Sequence, residues 1–460
     1  MTTFPTDFIW GTATSSYQIE GGTFEGGRGP SIWDSFAAIP GTIRNGDQAI
    51  IACDHYHRIE EDVAILKALN VKAYRFSIAW PRIQPTGHGE GHPEGLAFYN
   101  RLIDALINAG ITPWVTLYHW DLPLSLEMRE GGWLEPNIVD TFATYAKICF
   151  KAFGDRVKNW FTLNEPWCSA ILGYAVGAHA PGRKGSPSLA YTAGHHLLLA
   201  HAQAVRIYRE EFSTHQQGRI SISFNCDWRL PATDHPDDLA AAQRSLEFFL
   251  GWFADPIYRG DYPDIMRQKA GNRLPKFSKE EQKLILGSSD FFGLNHYSTC
   301  LASPDQKGQG QSVQGNGGYF ADANVALSTK PEWKLTDMGW PIVPSGCRDL
   351  LLWISKRYGN PELFITENGM AHRAELLNDQ ARIEFYQGYL EAIHQAMDLG
   401  VLVKGYFAWT LMDNFEWSHG YDRRFGLVHV DFETQKRTPK ASYYYMAELF
   451  KTSVLKASQP

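Results

Sequence analysis

The sequence predicts an α/β chain folded as a single (β/α)8 TIM barrel with elaborated βα loops, residues 1–460 forming one domain. Three observations carry that prediction. Eight short runs of apolar, β-branched or aromatic residues recur along the chain, amphipathic stretches of helical period lie between most of them, and no Gly/Pro-rich linker divides the whole. Barrel strands are parallel and buried on both faces, so each reads as a continuous apolar run and not as an alternating one. A doubly wound open sheet is the alternative, but the turn after the first strand, Gly11-Thr-Ala-Thr14, lacks the GxGxxG fingerprint.

Taken in order, the first strand is expected at 8–12, then a helix at 62–69 and the second strand at 73–78. Helix 96–109 precedes strand 112–118, and helix 138–152 precedes strand 160–163. The long helix 190–209 leads to strands 220–224 and 291–294; strand 363–366, helix 382–399 and strand 405–409 complete the set. Residues 303–318 are polar, glycine-rich and without periodicity, and are expected to form a mobile loop, either a surface insertion or a lid.

Composition narrows the function. A net charge of -7 with no basic block argues against nucleic acid and anionic lipid as partners. No uncharged apolar run approaches the roughly 18 residues of a membrane-spanning helix. The N-terminus lacks a basic start followed by an apolar stretch, so no signal peptide is expected. Six scattered cysteines, with no CxxC pair, no zinc spacing and no Asn-x-Ser/Thr sequon in the chain, suggest free thiols and a cytoplasmic protein.

In a barrel all C-terminal strand ends open on one face, so residues far apart in sequence share one pocket. Here those ends carry Gln18, Arg75, His119-Trp120, Asn164-Glu165, Asn295, Tyr297, Glu367-Asn368, Trp409 and Glu416-Trp417. Glu165 and Glu367 each follow a predicted strand immediately. Two converging carboxylates suit the cleavage of a glycosidic bond, which needs one acid for the leaving oxygen and a second carboxylate to attack or to activate water. Each alone also fits a salt-bridged carboxylate at a loop start. Arg75 and Tyr297 suit the task of keeping Glu367 ionised, a nearby cation and a phenolic donor both favouring a carboxylate. Indole faces such as those of Trp120, Trp167, Trp333, Trp409 and Trp417 suit the C–H-rich side of a pyranose, while Trp133, Trp160, Trp252 and Trp353 are expected to pack. No carboxylate or histidine lies at i+4 from His119, and His195, His196 and His201 form no HExxH pattern; no metal and no other cofactor is expected.

At these positions the chain resembles glycoside hydrolase family 1, the β-glucosidase family, over essentially its full length. The matching segments include 8–21, Tyr74-Arg-Phe-Ser-Ile-Ala-Trp80, Tyr118-His-Trp-Asp-Leu-Pro123, Thr162-Leu-Asn-Glu-Pro166, Asp337-Met-Gly-Trp-Pro341, Ile365-Thr-Glu-Asn-Gly369 and Asp413-Asn-Phe-Glu-Trp417. The resemblance implies double displacement with retention, Glu165 as acid/base and Glu367 as nucleophile. It implies that Gln18, His119, Asn164, Trp409, Glu416 and Trp417 bind the nonreducing sugar and that Asn295, Tyr297 and Arg75 support the nucleophile. Trp120 and Phe425 would complete the pocket wall, with Trp167, Leu172 and Trp333 at the entrance where the leaving group sits.

Relatives that are myrosinases carry Gln at the acid/base position, and phospho-β-glycosidases replace the glutamate at position 416; Glu165 and Glu416 point away from both. The expected partner is therefore a small β-glucoside or oligosaccharide such as cellobiose. A β-galactosidase or β-fucosidase is a sister reading, and a sugar-binding protein with an idle barrel is the reading from another class.

Overall fold

The computed structural model describes residues 2–305, 318–373 and 376–456. Eight parallel strands close into a barrel in chain order: β1 (Ile9–Ala13), β2 (Ala73–Ser77), β3 (Thr112–Tyr118), β4 (Asn159–Asn164), β5 (Arg219–Asn225), β6 (Phe292–Asn295), β7 (Leu363–Asn368) and β8 (Val403–Trp409). The closure is β8 against β1, with Gly405 opposite Ile9 and Trp409 opposite Ala13. Helices α1 (Ile59–Ala68), α2 (Pro93–Asn108), α3 (Ile138–Phe153), α4 (Leu189–Ile207), α5 (Trp252–Arg259), α6 (Pro344–Tyr358), α7 (Gln380–Asp398) and α8 (Ala441–Thr452) stand between the strands or after the last. In α2 a proline opens the helix, where its missing N–H costs nothing, and Phe98, Tyr99, Leu102, Ile103 and Leu106 recur at helical spacing and are buried.

The expected strands are all present, with ends shifted by no more than two residues. One shift matters: β7 runs to Asn368, so Glu367 lies inside a strand instead of beyond it. Ser303 and Pro304, expected as loop, instead end the strand Thr299–Pro304, which pairs with Val325–Ser328 on one side and Trp228–Pro231 on the other. That outer sheet depends on long-range pairing, which local composition does not encode. The remainder of the expected loop, 306–317, lies outside the described residues.

The interior of the barrel is filled from below by aromatic rings. Trp114 packs against Phe364 and Phe407 at 4.9 and 5.1 Å between ring centres, and Phe161 against Phe291 at 5.4 Å. Gly11 makes room for this plug, since an added Cβ would lie 2.5 Å from the Phe407 ring. Polar groups at the upper strand ends therefore stand on a dry floor. Among the described residues no helix is long and apolar enough to cross a membrane, and all six cysteines are free thiols.

The loop after β8 is fastened from beneath by Asp413. Its carboxylate accepts hydrogen bonds from Lys440 Nζ at 2.7 Å, Arg424 Nη1 at 3.0 Å and the Gly426 amide at 3.0 Å. Burial pushes this carboxyl up, but Lys440, His429 and Arg424 override it and hold it well below the ordinary carboxylate range. Such a depressed group stabilises the fold fully above its unfolded value of about 3.9 and stops doing so as pH falls through its lower folded value. Asp413→Asn is expected to lower the unfolding temperature at pH 7, because Lys440 is left buried without its counter-charge, a loss on the order of 3–5 kcal/mol. The gap to the unmodified protein should narrow below pH ~4; an unchanged melting profile at neutral pH would contradict this role.

Candidate active site

The upper strand ends converge on a cavity of 390 Å³ lined by Glu165 and Glu367. His119, Trp120, Asn295, Tyr297, Trp409, Glu416, Trp417 and Phe425 line it as well. A larger, shallower depression of 670 Å³ lies elsewhere; Arg357 there bridges Glu247 and Asp255, and none of the convergent residues reaches it. Three cavity residues sit in left-handed backbone, Trp120 at φ 77°, Glu165 at 46° and Trp417 at 49°. Each such residue costs about 1–3 kcal/mol and persists only where its surroundings over-determine it. Gly369, two residues past Glu367, permits one close approach, since an added Cβ would lie 1.8 Å from the Trp409 carbonyl oxygen.

Arg75 rises from β2 beneath the cavity and is fully buried. Its Nη1 donates to Glu367 Oε1 at 2.6 Å and to the Thr366 carbonyl at 3.2 Å. Its Nη2 donates to Asn164 Oδ1 at 2.5 Å, Nε donates to Thr116 Oγ1 at 3.2 Å, and the guanidinium lies over the Phe161 ring. The second oxygen of Glu367 accepts from the Tyr297 hydroxyl at 2.6 Å. Burial and then the charge of Glu367 push that phenol well above its usual value, so it stays protonated as a donor. Glu367 is itself raised by burial, but Arg75 and Tyr297 both favour its carboxylate form.

Among the described residues no cation is in contact with Glu165. Its Oε1 accepts from Asn295 Nδ2 at 2.6 Å, and Cys168 Sγ lies 3.0 Å from Oε2. Burial first, and the charge of Glu367 second, push this carboxyl up to about 8. The two glutamates thus share a dry site but not an environment, Arg75 being bonded to one alone. Asn295 is oriented by the hydroxyls of Ser223 and Thr366, which donate to its Oδ1. A continuous chain of hydrogen bonds runs Glu367, Arg75, Asn164, Asn295, Glu165.

The same logic assigns a tautomer. Asn164 Oδ1 is taken by Arg75 and Asn295, so its Nδ2 donates to His119 Nε2 at 3.0 Å. Burial, and then the charge of Arg75, hold His119 well below its usual value, so the ring is neutral and its proton sits on Nδ1. That Nδ1 is buried and finds no protein partner among the described residues. The His119 ring lies between Trp409 and Trp417, nearly parallel to both, 5.9 Å from each. Opposite stands Glu416, pushed up to about 8 by burial and by the charge of Glu367. Gln18 Nε2 donates to Glu416 Oε2 at 3.3 Å and to the Phe415 carbonyl at 2.9 Å.

Gln18, Asn164 and Arg75 therefore stand behind the lining and hold those in front of them. At the mouth, Trp167 and Leu172 line the cavity but Trp333 does not. Residues 334–342 fold back on themselves, Leu335 bridging to Pro341, and this puts Trp340 over the cavity instead, against Tyr297 and Phe425. Sequence reasoning quoted the segment containing Trp340 without singling it out; Met338, His179, Phe249, Asp227 and Arg229 of the lining were missed too. Trp133, Trp160 and Trp252 are packed in the core, as expected, with Trp353 half-buried beside it. His195, His196 and His201 each spend a ring nitrogen on a local hydrogen bond, to Tyr262, the Trp133 carbonyl and Thr162.

The family model for glycosyl hydrolase family 1 matches residues 1–454. The chain belongs to glycosyl hydrolase family 1. Among its relatives, Beta-glucosidase 42 of Arabidopsis thaliana is 46% identical, the match covering 97% of this chain and 94% of that one. Beta-glucosidase 1B of Phanerodontia chrysosporium is 45% identical over 99% of this chain and 87% of its own. The solved rice Os3BGlu6 β-glucosidase superposes with a TM-score of 0.94 at 42% identity, covering 99% of both chains. The family 1 β-glucosidase of Thermotoga maritima does so at 0.92 and 44%, again over 99% of both. This family 1 chain is a glycoside hydrolase of the β-glucosidase group, acting on O-glycosyl bonds.

Because the charge of Glu367 contributes to the raised Glu165 carboxyl, Glu367→Gln should lower it, by on the order of one pH unit. Carbon NMR of side-chain-labelled glutamate reads this directly; a Glu165 titration that stays near 8 in the variant would assign the whole effect to burial.

Proposed function

We propose that this chain is a retaining β-glucosidase working by double displacement, its 460 residues acting as one catalytic domain. The observation that carries the proposal is the asymmetry of the two carboxylates, Glu367 bonded to Arg75 and Tyr297 while Glu165 is bonded to neither. Glu367 attacks the anomeric carbon as a carboxylate, and Glu165, still protonated at neutral pH, gives its proton to the leaving oxygen. Formation of the glycosyl ester neutralises Glu367 and removes the charge that helped to raise Glu165. Glu165 then loses its proton readily and acts as base towards water, or towards a sugar hydroxyl, which makes transglycosylation a natural side reaction. A covalent complex with glucose has been solved for a variant of the rice relative, which supports a glycosyl-enzyme intermediate here.

The glycone lies against Trp409 and Trp417, with His119 Nδ1 donating to a hydroxyl and Glu416, held by Gln18, engaging its neighbours. Glu165 supplies the acid/base carboxyl, and Glu416, where phospho-β-glycosidases have a small polar residue, supports an unphosphorylated glycone. Glucose is the favoured glycone, on the strength of the named relatives, and the substrates proposed are cellobiose, short cello-oligosaccharides and aryl or alkyl β-glucosides, placing the protein in cellulose breakdown. The leaving group passes Trp167, Leu172 and Trp340 at the mouth. The free thiols support a cytoplasmic setting.

A 2-deoxy-2-fluoro β-glucoside with an activated leaving group should inactivate the enzyme and leave its label on the peptide containing Glu367; a label elsewhere would overturn the assignment. Glu165→Ala should lower kcat/KM about 10²–10⁴-fold on substrates with poor leaving groups and far less on activated ones, while kcat falls on both because hydrolysis of the shared glycosyl ester loses its base. The rate should fall as pH rises past about 8, where Glu165 loses its proton.

A further inference from the structure

Glu165 is touched by a group that the scheme above does not use. Cys168 lies three residues on, in the short helix Pro166–Ile171 that Glu165 opens, and its Sγ stands 3.0 Å from Glu165 Oε2. The thiol is buried and lines the cavity. From the other side, Asn225 Nδ2 at the end of β5 donates to the same sulfur at 3.3 Å. With a sulfur lone pair engaged by that amide, the S–H is left as a donor, and Glu165 Oε2 is the acceptor in reach. Oε1 already accepts from Asn295, so the catalytic proton sits on Oε2, the oxygen facing the thiol. An S–H bond to that oxygen is strongest when Glu165 is ionised, and a hydrogen bond to the charged form lowers a carboxyl's pKa.

We propose that Cys168 is a positioning residue that sets the proton affinity of Glu165, its thiol donating to Oε2 whenever that carboxylate is charged. It thereby tunes the balance between the acid role in the first half-reaction and the base role in the second. The thiol forms no bond to substrate and is not consumed; burial, followed by the charge of Glu165, holds it well above its usual value, so it stays S–H throughout. This inference rests on the acid/base reading of Glu165. The titratable and charged groups that face the site are Arg75 on β2, His119 beyond β3, His179 beyond β4, Glu367 on β7, Tyr297 beyond β6, Glu416 and His419 beyond β8 and, across Cys168, Cys226 and Asp227 beyond β5 with Arg229 on the strand Trp228–Pro231. All are left in place in the variants that test it.

The test is the pH dependence of kcat/KM on 4-nitrophenyl β-D-glucoside for the unmodified enzyme, Cys168→Ala and Cys168→Ser. Ala removes the donor and should move the alkaline limb upward; Ser offers a stronger O–H donor and should move it downward, each by on the order of half a pH unit. The acidic limb should stay put. A residue that only packs would move the limb in neither variant or in the same direction in both, and either result overturns the proposal. An unmodified enzyme without an alkaline limb would overturn the reading of Glu165 itself.

Discussion

A guanidinium in the dry interior of a barrel is costly to desolvate and is tolerated only where its donors and its charge are met. Arg75, 1% exposed and seated on the Phe161 ring, meets that condition through Glu367, Thr366, Asn164 and Thr116. In so doing it sets the protonation of its surroundings. Glu367 is favoured as a carboxylate. Asn164 is turned so that its carbonyl faces Arg75 and its amide faces His119, and this fixes which nitrogen of that ring carries the proton. Through Asn295 the same chain of bonds reaches Glu165. The aromatic plug under Arg75 keeps the local dielectric low, so each of these contacts is stronger than the same contact in water.

Glu165, Glu367 and Glu416 interact across this cavity, and of the three only Glu367 is bonded to Arg75. Burial and the charge on Glu367 push Glu165 and Glu416 each up to about 8. Of the three, Glu367 alone has a cation and a phenol favouring its carboxylate form, an arrangement suited to a reaction that begins with an attacking carboxylate and a proton donor. The strained backbone at Trp120, Glu165 and Trp417 belongs to the same economy of fixed positions. The barrel frame holds these side chains at angles that free chains seldom adopt, so little reorganisation remains for the moment of reaction.

The barrel is legible in the sequence because its strands are buried on both faces and stand apart as apolar runs. The convergent site is legible because polar and aromatic residues follow those runs at once, as Asn164-Glu165 and His119-Trp120 do. Residues that act at one remove are harder to read. Gln18 and Asn164, expected at the sugar, stand behind the lining, Gln18 against Glu416, whereas Arg75 stands beside Glu367 as expected. Trp333 and Trp340 differ by seven positions and share a residue type, and only the fold-back of 334–342 decides which one faces the cavity. The lining of the mouth after β5, Asp227 and Arg229 among it, arises from loops whose pairing is entirely tertiary. The Cys168 contact with Glu165 depends on where a left-handed residue aims the first turn of a helix, a direction that no spacing rule supplies.

In the proposed mechanism Arg75 keeps Glu367 ionised as a nucleophile while Glu165 carries the proton. Proton NMR of an aryl β-D-glucoside during early turnover, before mutarotation mixes the product anomers, tests it most directly. β-Glucose is the expected first product, one inversion at Glu367 being undone by a second at water. α-Glucose appearing first would mean direct attack by water, and would contradict Glu367 as the nucleophile.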